Sequence, residues 1–213
     1  MRRKTGANLL RIVIYLEKNS IGEEEKTVSG INGFDGAIMA WVQSHCHNAV
    51  TDRLFPILTY LGEAGAVWIV LALVFLCRKR TRYAGILTLC AMAAGFLLGE
   101  VLLKNVICRE RPFQLFPDYT MLLISPPSGF SFPSGHTCAS FAAATVLCCQ
   151  FRKRGIPALI LAGLIGFSRI FLFVHYPTDV LAGMLLGIFC GLLACWAAEK
   201  IKYRNEWKEP AEK

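Results

Sequence analysis

Charged residues are scarce in this sequence of 213 residues, in which Asp, Glu, Lys and Arg make up 18%; an ordinary soluble domain contains about 25%. Apolar residues amount to 54%, and the mean hydropathy is +0.46. The stretch from Val180 to Ala198 contains no charged side chain. This composition excludes a soluble globular domain, a disordered chain, collagen and a coiled coil, and it predicts at least one segment that spans a membrane.

Cysteine pairs with the spacing of a metal site are also missing. The sequence has nine cysteines, and they form neither a C-x-x-C pair nor a cluster with histidine at the spacing of a zinc site. Most of them lie inside apolar stretches, where a cysteine behaves as a small apolar residue. We therefore expect no bound metal and no disulfide bond.

A cleavable signal peptide is not expected either. The amino-terminal apolar stretch from Asn8 to Leu16 is interrupted by Arg11 and is not followed by small residues that would form a cleavage site. An interfacial helix fits this stretch better. We assign residues 1–33 to a polar amino-terminal segment and residues 34–213 to a single membrane domain.

The fold class that follows is an all-α integral membrane bundle of about five to six helices, since each crossing needs about 20 residues. Residues 34–53 have the apolar positions Phe34, Ile38, Trp41 and Val42 at helical spacing and predict an amphipathic helix at the membrane surface. The predicted spans are approximately Ile57–Cys77, Tyr83–Val106, Pro133–Phe151, Ile156–Val174 and Val180–Ala198. Five spans would place the amino terminus outside, so the number of spans stays open between five and six.

The net charge of +8 is distributed unevenly along the chain. Basic clusters at 78–82, 152–154 and 200–204 each follow an apolar stretch, and the positive-inside rule places such clusters in the cytoplasm. Residues 104–136 and 169–179 then meet at the non-cytoplasmic face of the cell membrane. Because the basic residues lie beside the membrane and without an aromatic-rich surface, we do not expect nucleic acid to bind.

Two features inside the spans indicate packing. Gly183, Gly187 and Gly191 share one face of the last helix, which favours close approach of a neighbouring helix. Glu100 precedes Lys104 by four residues, the favourable order for an ion pair on a helix.

Cations and a helix start in residues 104–137 indicate an anion site. Lys104 and Arg111 would lie on nearly one face if the helix continued that far. Pro133 is suited to the first helical position, and the amides of Ser134, Gly135 and His136 would then lack intrahelical acceptors. Such a helix start attracts anions. The structural alternatives are cations that reach toward the membrane surface and a helix cap with an incidental histidine.

A third segment places a histidine and a carboxylate around a proline. Arg169 is a charge in an otherwise apolar span, where such a residue is a functional hypothesis by default. Pro177 separates His175 from Asp179, so the pair belongs to a turn and the first residues of a new helix. The carboxylate can orient one ring nitrogen and leave the other as a nucleophile. The structural alternative is an Asp that only caps the last helix.

These residues resemble the three signature motifs of the type 2 phosphatidic acid phosphatases. The matching patterns are Lys104-x6-Arg111-Pro112, Pro133-Ser134-Gly135-His136 and Ser168-Arg169-x5-His175-x3-Asp179, and the helical pattern extends the likeness over residues 34–199. The family usually has six spans, and the first is missing here or replaced by surface helices.

The resemblance implies a metal-independent lipid phosphatase without a cofactor. It implies that His175 attacks phosphorus, Asp179 orients it and His136 protonates the leaving oxygen. The phosphoryl oxygens would bind to the remaining predicted residues, which are Lys104, Arg111, Ser134, Gly135 and Arg169. A phosphohistidine would form and be hydrolysed.

We expect a lipid phosphate or diphosphate as the substrate, with undecaprenyl diphosphate as the first candidate. Phosphatidic acid and phosphatidylglycerol phosphate are close alternatives, and transfer of the phosphoryl group to a lipid or sugar hydroxyl is a further one. A haloperoxidase is disfavoured because those enzymes are soluble. A silent scaffold or transporter is disfavoured because no signature position is altered. The oligomeric state stays open.

Overall fold

In a computed structural model of the chain, residues 33–115 and 122–206 are described, with side chains up to residue 201. This part of the chain is helical and contains no β-strand. The predicted polar segment 1–33, apart from its last residue, and the expected surface helix near residues 8–16 lie outside the described residues. The helices are α1 (Phe34–His45), α2 (Thr51–Leu61), α3 (Ala66–Leu76), α4 (Arg82–Phe96), α5 (Lys104–Ile107), α6 (Pro112–Leu115), α7 (Gly135–Phe151), α8 (Ile156–Phe171) and α9 (Pro177–Glu206).

Apolar helices occupy all five predicted spans. Within residues 33–115 and 122–206, three helical stretches are long and apolar enough to cross a membrane, with a fourth if α2 and α3 form one bent span. One of the three, Gly135–Phe171, folds back on itself at Arg152–Gly155. The two arms lie side by side, as shown by Gly166, where a Cβ would lie 3.3 Å from Thr137 Cγ2. The stretch therefore consists of two antiparallel arms, α7 and α8. The prediction of an all-α membrane bundle is confirmed.

The first predicted span is not a straight helix. Between α2 and α3 the chain makes a 3-10 turn, Glu63–Gly65, and the two helices meet at 46°. Ala64 and Gly65 have φ values of 49° and 71°, which a continuous α-helix cannot contain. The predicted span from Ile57 to Cys77 therefore corresponds to two helices joined by a bend, and its crossing of the membrane as one span stays a prediction. The bend places the turn against the site described below.

Helix α7 lies at the centre of the bundle and packs against α4, α8 and α9. Its side chains at Ala142–Ala144 are fully buried, and their small size permits close packing. The three glycines of α9 face α7: a Cβ at Gly187 would collide with the carbonyl oxygen of Cys138. The predicted packing role of Gly183, Gly187 and Gly191 is confirmed.

Helix α1 is shorter than predicted and has a different inner face. It ends at His45, and residues 51–53 already belong to α2. The buried positions are Asp35, Met39 and Val42, whereas Phe34 is 63% exposed. The inner face packs against the end of α8 and the turn that follows it, so α1 adjoins the region of the predicted site. Its location at the membrane surface stays a prediction.

Candidate active site

A cavity between α2, α4, α7 and α8 collects residues from all three motifs. Its volume is about 900 Å³, and the predicted residues that line it are Lys104, Arg111, Gly135, His136, Arg169 and His175. Ser134 and Asp179 are fully buried and do not line it. The structure therefore brings the motifs together, and the chemical role of each residue stays a prediction.

His175 is held in a tight turn between α8 and α9. The amides of Val174 and His175 both donate to the carbonyl oxygen of Arg169, at 3.1 and 3.2 Å. Helix α9 then begins at Pro177, where a new helix was predicted. This start is three residues before Val180, the expected first residue of the span. Only 1% of His175 is exposed, so its ring orientation is fixed by its neighbours.

The neighbours of His175 also determine which ring nitrogen carries the proton. Arg111 Nη1 lies 3.1 Å from His175 Nε2, and a guanidinium has only donors. Nε2 must therefore accept, which places the proton on Nδ1, 3.6 Å from Asp179 Oδ2. Burial lowers the pKa of His175 to about 3, with Arg169 and Arg111 acting in the same direction and Asp179 against it. The ring is thus neutral, with the lone pair of Nε2 as a potential nucleophile.

The Asp179 carboxylate is fixed by donors on both oxygens. Oδ2 accepts from the Ser131 hydroxyl at 2.5 Å and from the Tyr176 amide at 2.9 Å. Oδ1 accepts from Arg109 at 2.6 Å. Ser131 and Arg109 were not predicted, although Ser131 lies two residues before the second motif and Arg109 lies two residues before Arg111. The position of Asp179 is therefore determined by more residues than the motifs contain.

Helix α7 begins later than predicted. Ser134 precedes its first residue and Pro133 lies outside it, so Pro133 is not the first helical residue. The Ser134 amide donates to the backbone oxygen of Asp179 at 3.0 Å, and the Ser134 hydroxyl pairs with Thr137 Oγ1 at 2.9 Å. The predicted anion donors of Ser134 are thus already engaged. The first intrahelical hydrogen bond runs from the Cys138 amide to the Ser134 carbonyl oxygen at 2.9 Å, so the amides of Gly135, His136 and Thr137 have no intrahelical acceptor.

Arg169 and Lys104 are held by partners on α2 and on the π-helical segment Leu97–Leu103 that joins α4 to α5. Arg169 Nη1 donates to Thr59 Oγ1, and its buried Nε finds no partner among the described residues. Lys104 Nζ donates to Glu100 Oε2 at 2.7 Å, so the predicted ion pair is confirmed. Thr59 was not predicted, because nothing local in the sequence connects it to Arg169.

Arg111 approaches the cavity from a loop. Helix α5 ends at Ile107, and Cys108 has a φ of 51°, so Lys104 and Arg111 do not share a continuous helix as the prediction assumed. Arg111 Nε and Nη2 donate to backbone oxygens of Gly129 and Ser128 at 2.9 and 3.0 Å. Backbone carbonyls therefore hold this guanidinium beside His175.

Two carboxylates face the predicted anion site. A Cβ at Gly135 would collide with Glu100 Oε1, so this carboxylate lies against the start of α7. His136 Nε2 lies 3.4 Å from Glu63 Oε2 in the turn between α2 and α3. The site thus contains its own negative charges next to the cations and the helix start.

One part of the cavity wall is apolar. Side chains of α3 and α4 line it on the side away from the histidines: Ile69, Leu89, Met92, Ala93 and Phe96. The positions on α4 extend over about 10 Å at about 1.5 Å per residue. The cavity therefore combines a cationic end with an apolar groove, as an anionic headgroup on an apolar tail requires.

A membrane bundle with two histidines, three cations and a helix start around one cavity defines a membrane phosphatase. The chain belongs to the PAP2 superfamily, whose family model matches residues 83–203. It is 37% identical over 141 residues to undecaprenyl-diphosphatase of Sulfolobus acidocaldarius, covering 65% of this chain and 68% of that one.

Two further comparisons agree with this membership. Undecaprenyl-diphosphatase BcrC of Bacillus subtilis is 32% identical over 151 residues, which are 69% of this chain and 75% of that protein. The crystal structure of a PAP2-type phosphatidylglycerolphosphate phosphatase from Bacillus subtilis matches with a TM-score of 0.62 and 26% identity, covering 92% of this chain and 96% of that one. The chain is a membrane lipid phosphatase, and the predicted family and reaction class are confirmed.

Proposed function

We propose that this phosphatase hydrolyses a polyprenyl diphosphate, with undecaprenyl diphosphate as the first candidate. The observation that carries the proposal is the cavity, whose cationic end suits a diphosphate and whose groove suits a long apolar chain. The substrate named for the relatives from Sulfolobus acidocaldarius and Bacillus subtilis supports the same choice. Neither a metal nor a cofactor has a role in this proposal.

In the first step, His175 Nε2 attacks the terminal phosphorus. A P–N bond forms while the P–O bond to the leaving lipid phosphate breaks, and His136 donates a proton to the leaving oxygen. Arg111 transfers its hydrogen bond from Nε2 to a phosphoryl oxygen. Lys104, Arg169 and the Gly135 amide bind the phosphoryl oxygens and offset their charge. The Ser134 hydroxyl can also bind a phosphoryl oxygen only if its hydrogen bond with Thr137 breaks.

In the second step, water hydrolyses the phosphohistidine. The oxygen of the water attacks phosphorus while His136, now neutral, accepts a proton from the same water. The P–N bond breaks, its electron pair returns to His175 Nε2, and phosphate is released. Asp179 keeps the proton on Nδ1 through both steps, so it acts as a positioning residue.

The site faces the non-cytoplasmic side in this proposal. Basic residues 78–80 follow α3, and residues 152–154 lie at the turn between α7 and α8, at the opposite end of α7 from His136. A test uses two exposed cysteines, Cys77 and Cys108, each as the single cysteine of a variant. An impermeant thiol reagent added to intact cells should label Cys108 and spare Cys77, and the reverse pattern would overturn the orientation.

Phosphate release from purified protein tests the reaction. The panel is undecaprenyl diphosphate, phosphatidylglycerol phosphate and phosphatidic acid in detergent, with His175→Ala and His136→Ala beside the wild type. We expect the highest kcat/KM with the diphosphate and loss of turnover in both variants. His45→Ala is the matched control, because His45 is exposed on α1. Full turnover by His175→Ala would contradict the mechanism.

Phosphatidylglycerol phosphate is the second candidate substrate. The likeness to the solved phosphatidylglycerolphosphate phosphatase extends over nearly the whole chain, and an apolar groove also accepts acyl chains. A kcat/KM that is higher for this lipid than for the diphosphate, in the same panel, would favour it.

A further inference from the structure

Arg109 joins the amino-terminal helix α1 to the carboxylate beside His175. Its Nη1 donates to Asp179 Oδ1 at 2.6 Å and to Thr178 Oγ1 at 2.7 Å, and its Nη2 donates to Asp35 Oδ2 at 2.8 Å. The guanidinium also lies 3.8 Å from the centre of the Tyr176 ring, a favourable cation–π arrangement. A single side chain thus contacts the start of α9 and the first turn of α1.

Asp35 completes this network from the other side. It is 9% exposed, although it lies in the first turn of α1. Its Oδ1 accepts from the Thr178 amide at 2.8 Å, and its Oδ2 accepts from the Thr178 hydroxyl at 2.6 Å in addition to Arg109. A buried carboxylate with this many donors has a fixed orientation. Asp35 therefore fixes Thr178, the residue directly before Asp179.

The network of Asp35, Arg109 and Asp179 has a net charge of −1, and this charge lies beside His175. Asp35 and Asp179 carry one negative charge each, and Arg109 lies between them with one positive charge. Without Asp35, Arg109 and Asp179 would form a neutral pair, and Asp179 would stabilise positive charge on His175 less. Such charge develops on the ring when its nitrogen bonds to phosphorus.

We propose that Asp35 and Arg109 are positioning residues for the nucleophile. Arg109 fixes the rotation of the Asp179 carboxylate through Oδ1, so that Oδ2 faces His175, and Asp35 balances the charge of Arg109. Neither residue lines the cavity, so both act through Asp179. Helix α1, which contains none of the motif residues, is then part of the machinery of the reaction. The inference rests on the proposed role of His175.

The location of these residues determines what their loss should change. A residue that acts only through Asp179 should affect the reacting state and leave substrate binding unchanged, so kcat should fall while KM stays constant. A hydrogen bond to a charged partner corresponds to about a 10- to 100-fold change in rate. A purely structural role would instead lower the amount of folded, active protein and leave the kcat of the folded fraction unchanged.

The test compares Asp35→Asn and Arg109→Lys with the wild type in the full-length protein. Asp35→Asn keeps the shape and removes the charge, and Arg109→Lys keeps the charge and removes the fork that reaches both carboxylates. We expect kcat to fall about 10- to 100-fold in each, with KM within about twofold. Asp52→Asn is the matched control, because Asp52 lies in the first turn of α2 and pairs with His47 at 2.8 Å.

Orthovanadate supplies a readout that does not depend on turnover. It accepts a fifth ligand and so imitates the phosphoryl group in transfer, and an analogue of this kind reports transition-state stabilisation. We expect its affinity to fall in Asp35→Asn by a factor similar to that of kcat, with the affinity for inorganic phosphate unchanged.

The outcomes separate this inference from the proposed function. If the wild type is active, His175→Ala is inactive, and Asp35→Asn keeps both kcat and vanadate affinity, only the positioning role is overturned. A wild type that neither releases phosphate nor binds vanadate would overturn both. A loss of activity that follows the loss of folded protein, measured by thermal denaturation, would also refute the positioning role.

Discussion

The substitution Asp179→Asn should move the proton of His175 to the wrong nitrogen, because Arg109 determines how the new amide is oriented. Arg109 has only donors and faces Oδ1 at 2.6 Å. The Tyr176 amide donates to Oδ2 and opposes this orientation, but a charged donor forms the stronger hydrogen bond, so the amide oxygen would take the position beside Arg109. The amide NH2 would then replace Oδ2 and point at His175 Nδ1. A donor in this place requires an unprotonated Nδ1, which transfers the proton to Nε2, the attacking atom.

The size of the effect follows from two losses. Protonation of Nε2 removes the hydrogen bond that the charged Arg111 donates to it at 3.1 Å, and a hydrogen bond to a charged group contributes about 1.5–3 kcal/mol. A unit charge about 4 Å from the ring contributes about 4 kcal/mol at an effective dielectric constant of about 20. Because these two contributions overlap, we expect a total of about 4–6 kcal/mol, which lowers kcat about 10³- to 10⁴-fold.

Initial rates of phosphate release at saturating lipid measure this change, with Asp52→Asn as the control and thermal denaturation to confirm folding. A double variant with Arg109→Gln lets the amide turn its oxygen toward His175, so it should be no slower than Asp179→Asn alone. If Asp179→Asn kept more than about a tenth of the wild-type kcat, the reasoning from the tautomer would be refuted.

Three further predictions concern the helix start, the packing and the pH dependence. Gly135→Ala should lower kcat/KM about tenfold or more, because its Cβ would collide with Glu100, and Glu100→Ala should partly restore it in the same assay. Gly187→Leu should destabilise the bundle by at least about 1–3 kcal/mol, seen as a lower melting temperature in detergent, because its side chain would enter the backbone of α7. The low pKa of His175 should make stability fall as the pH drops from about 6.5 toward 3, since the unfolded chain takes up the proton first; His175→Gln should flatten melting temperature against pH in this window.

The segments that form the site could be predicted because each is a local feature of the chain. Pro177 favours a helix start because proline is pre-organised for the first helical position, and a charge such as Arg169 in an apolar span is conspicuous without a structure. The predicted ends of the helices were less accurate. The bend at Ala64 depends on tertiary contacts of the turn, and the later start of α7 follows from hydrogen bonds that Ser134 makes with Asp179 and Thr137.

The partners of the site residues could not be predicted from the sequence. Asp35 contacts Arg109 and Thr178 across most of the chain, and no periodicity connects these positions. Asp35 also lies on a face of α1 that the apolar pattern did not select, since Phe34 suggested a different inner face. Burial of this carboxylate depends on the donors that surround it, and those become visible only when the helices are assembled.

Gly183 determines how closely helix α9, which follows His175, approaches helix α7, which contains His136. A Cβ there would lie 2.5 Å from the backbone oxygen of Ser134, so α9 approaches α7 as closely as a backbone without a side chain permits. His136, in the first turn of α7, is two residues after Ser134, and His175 is two residues before Pro177, the first residue of α9. The separation between the proposed proton donor and the proposed nucleophile therefore depends on how closely α9 packs against α7.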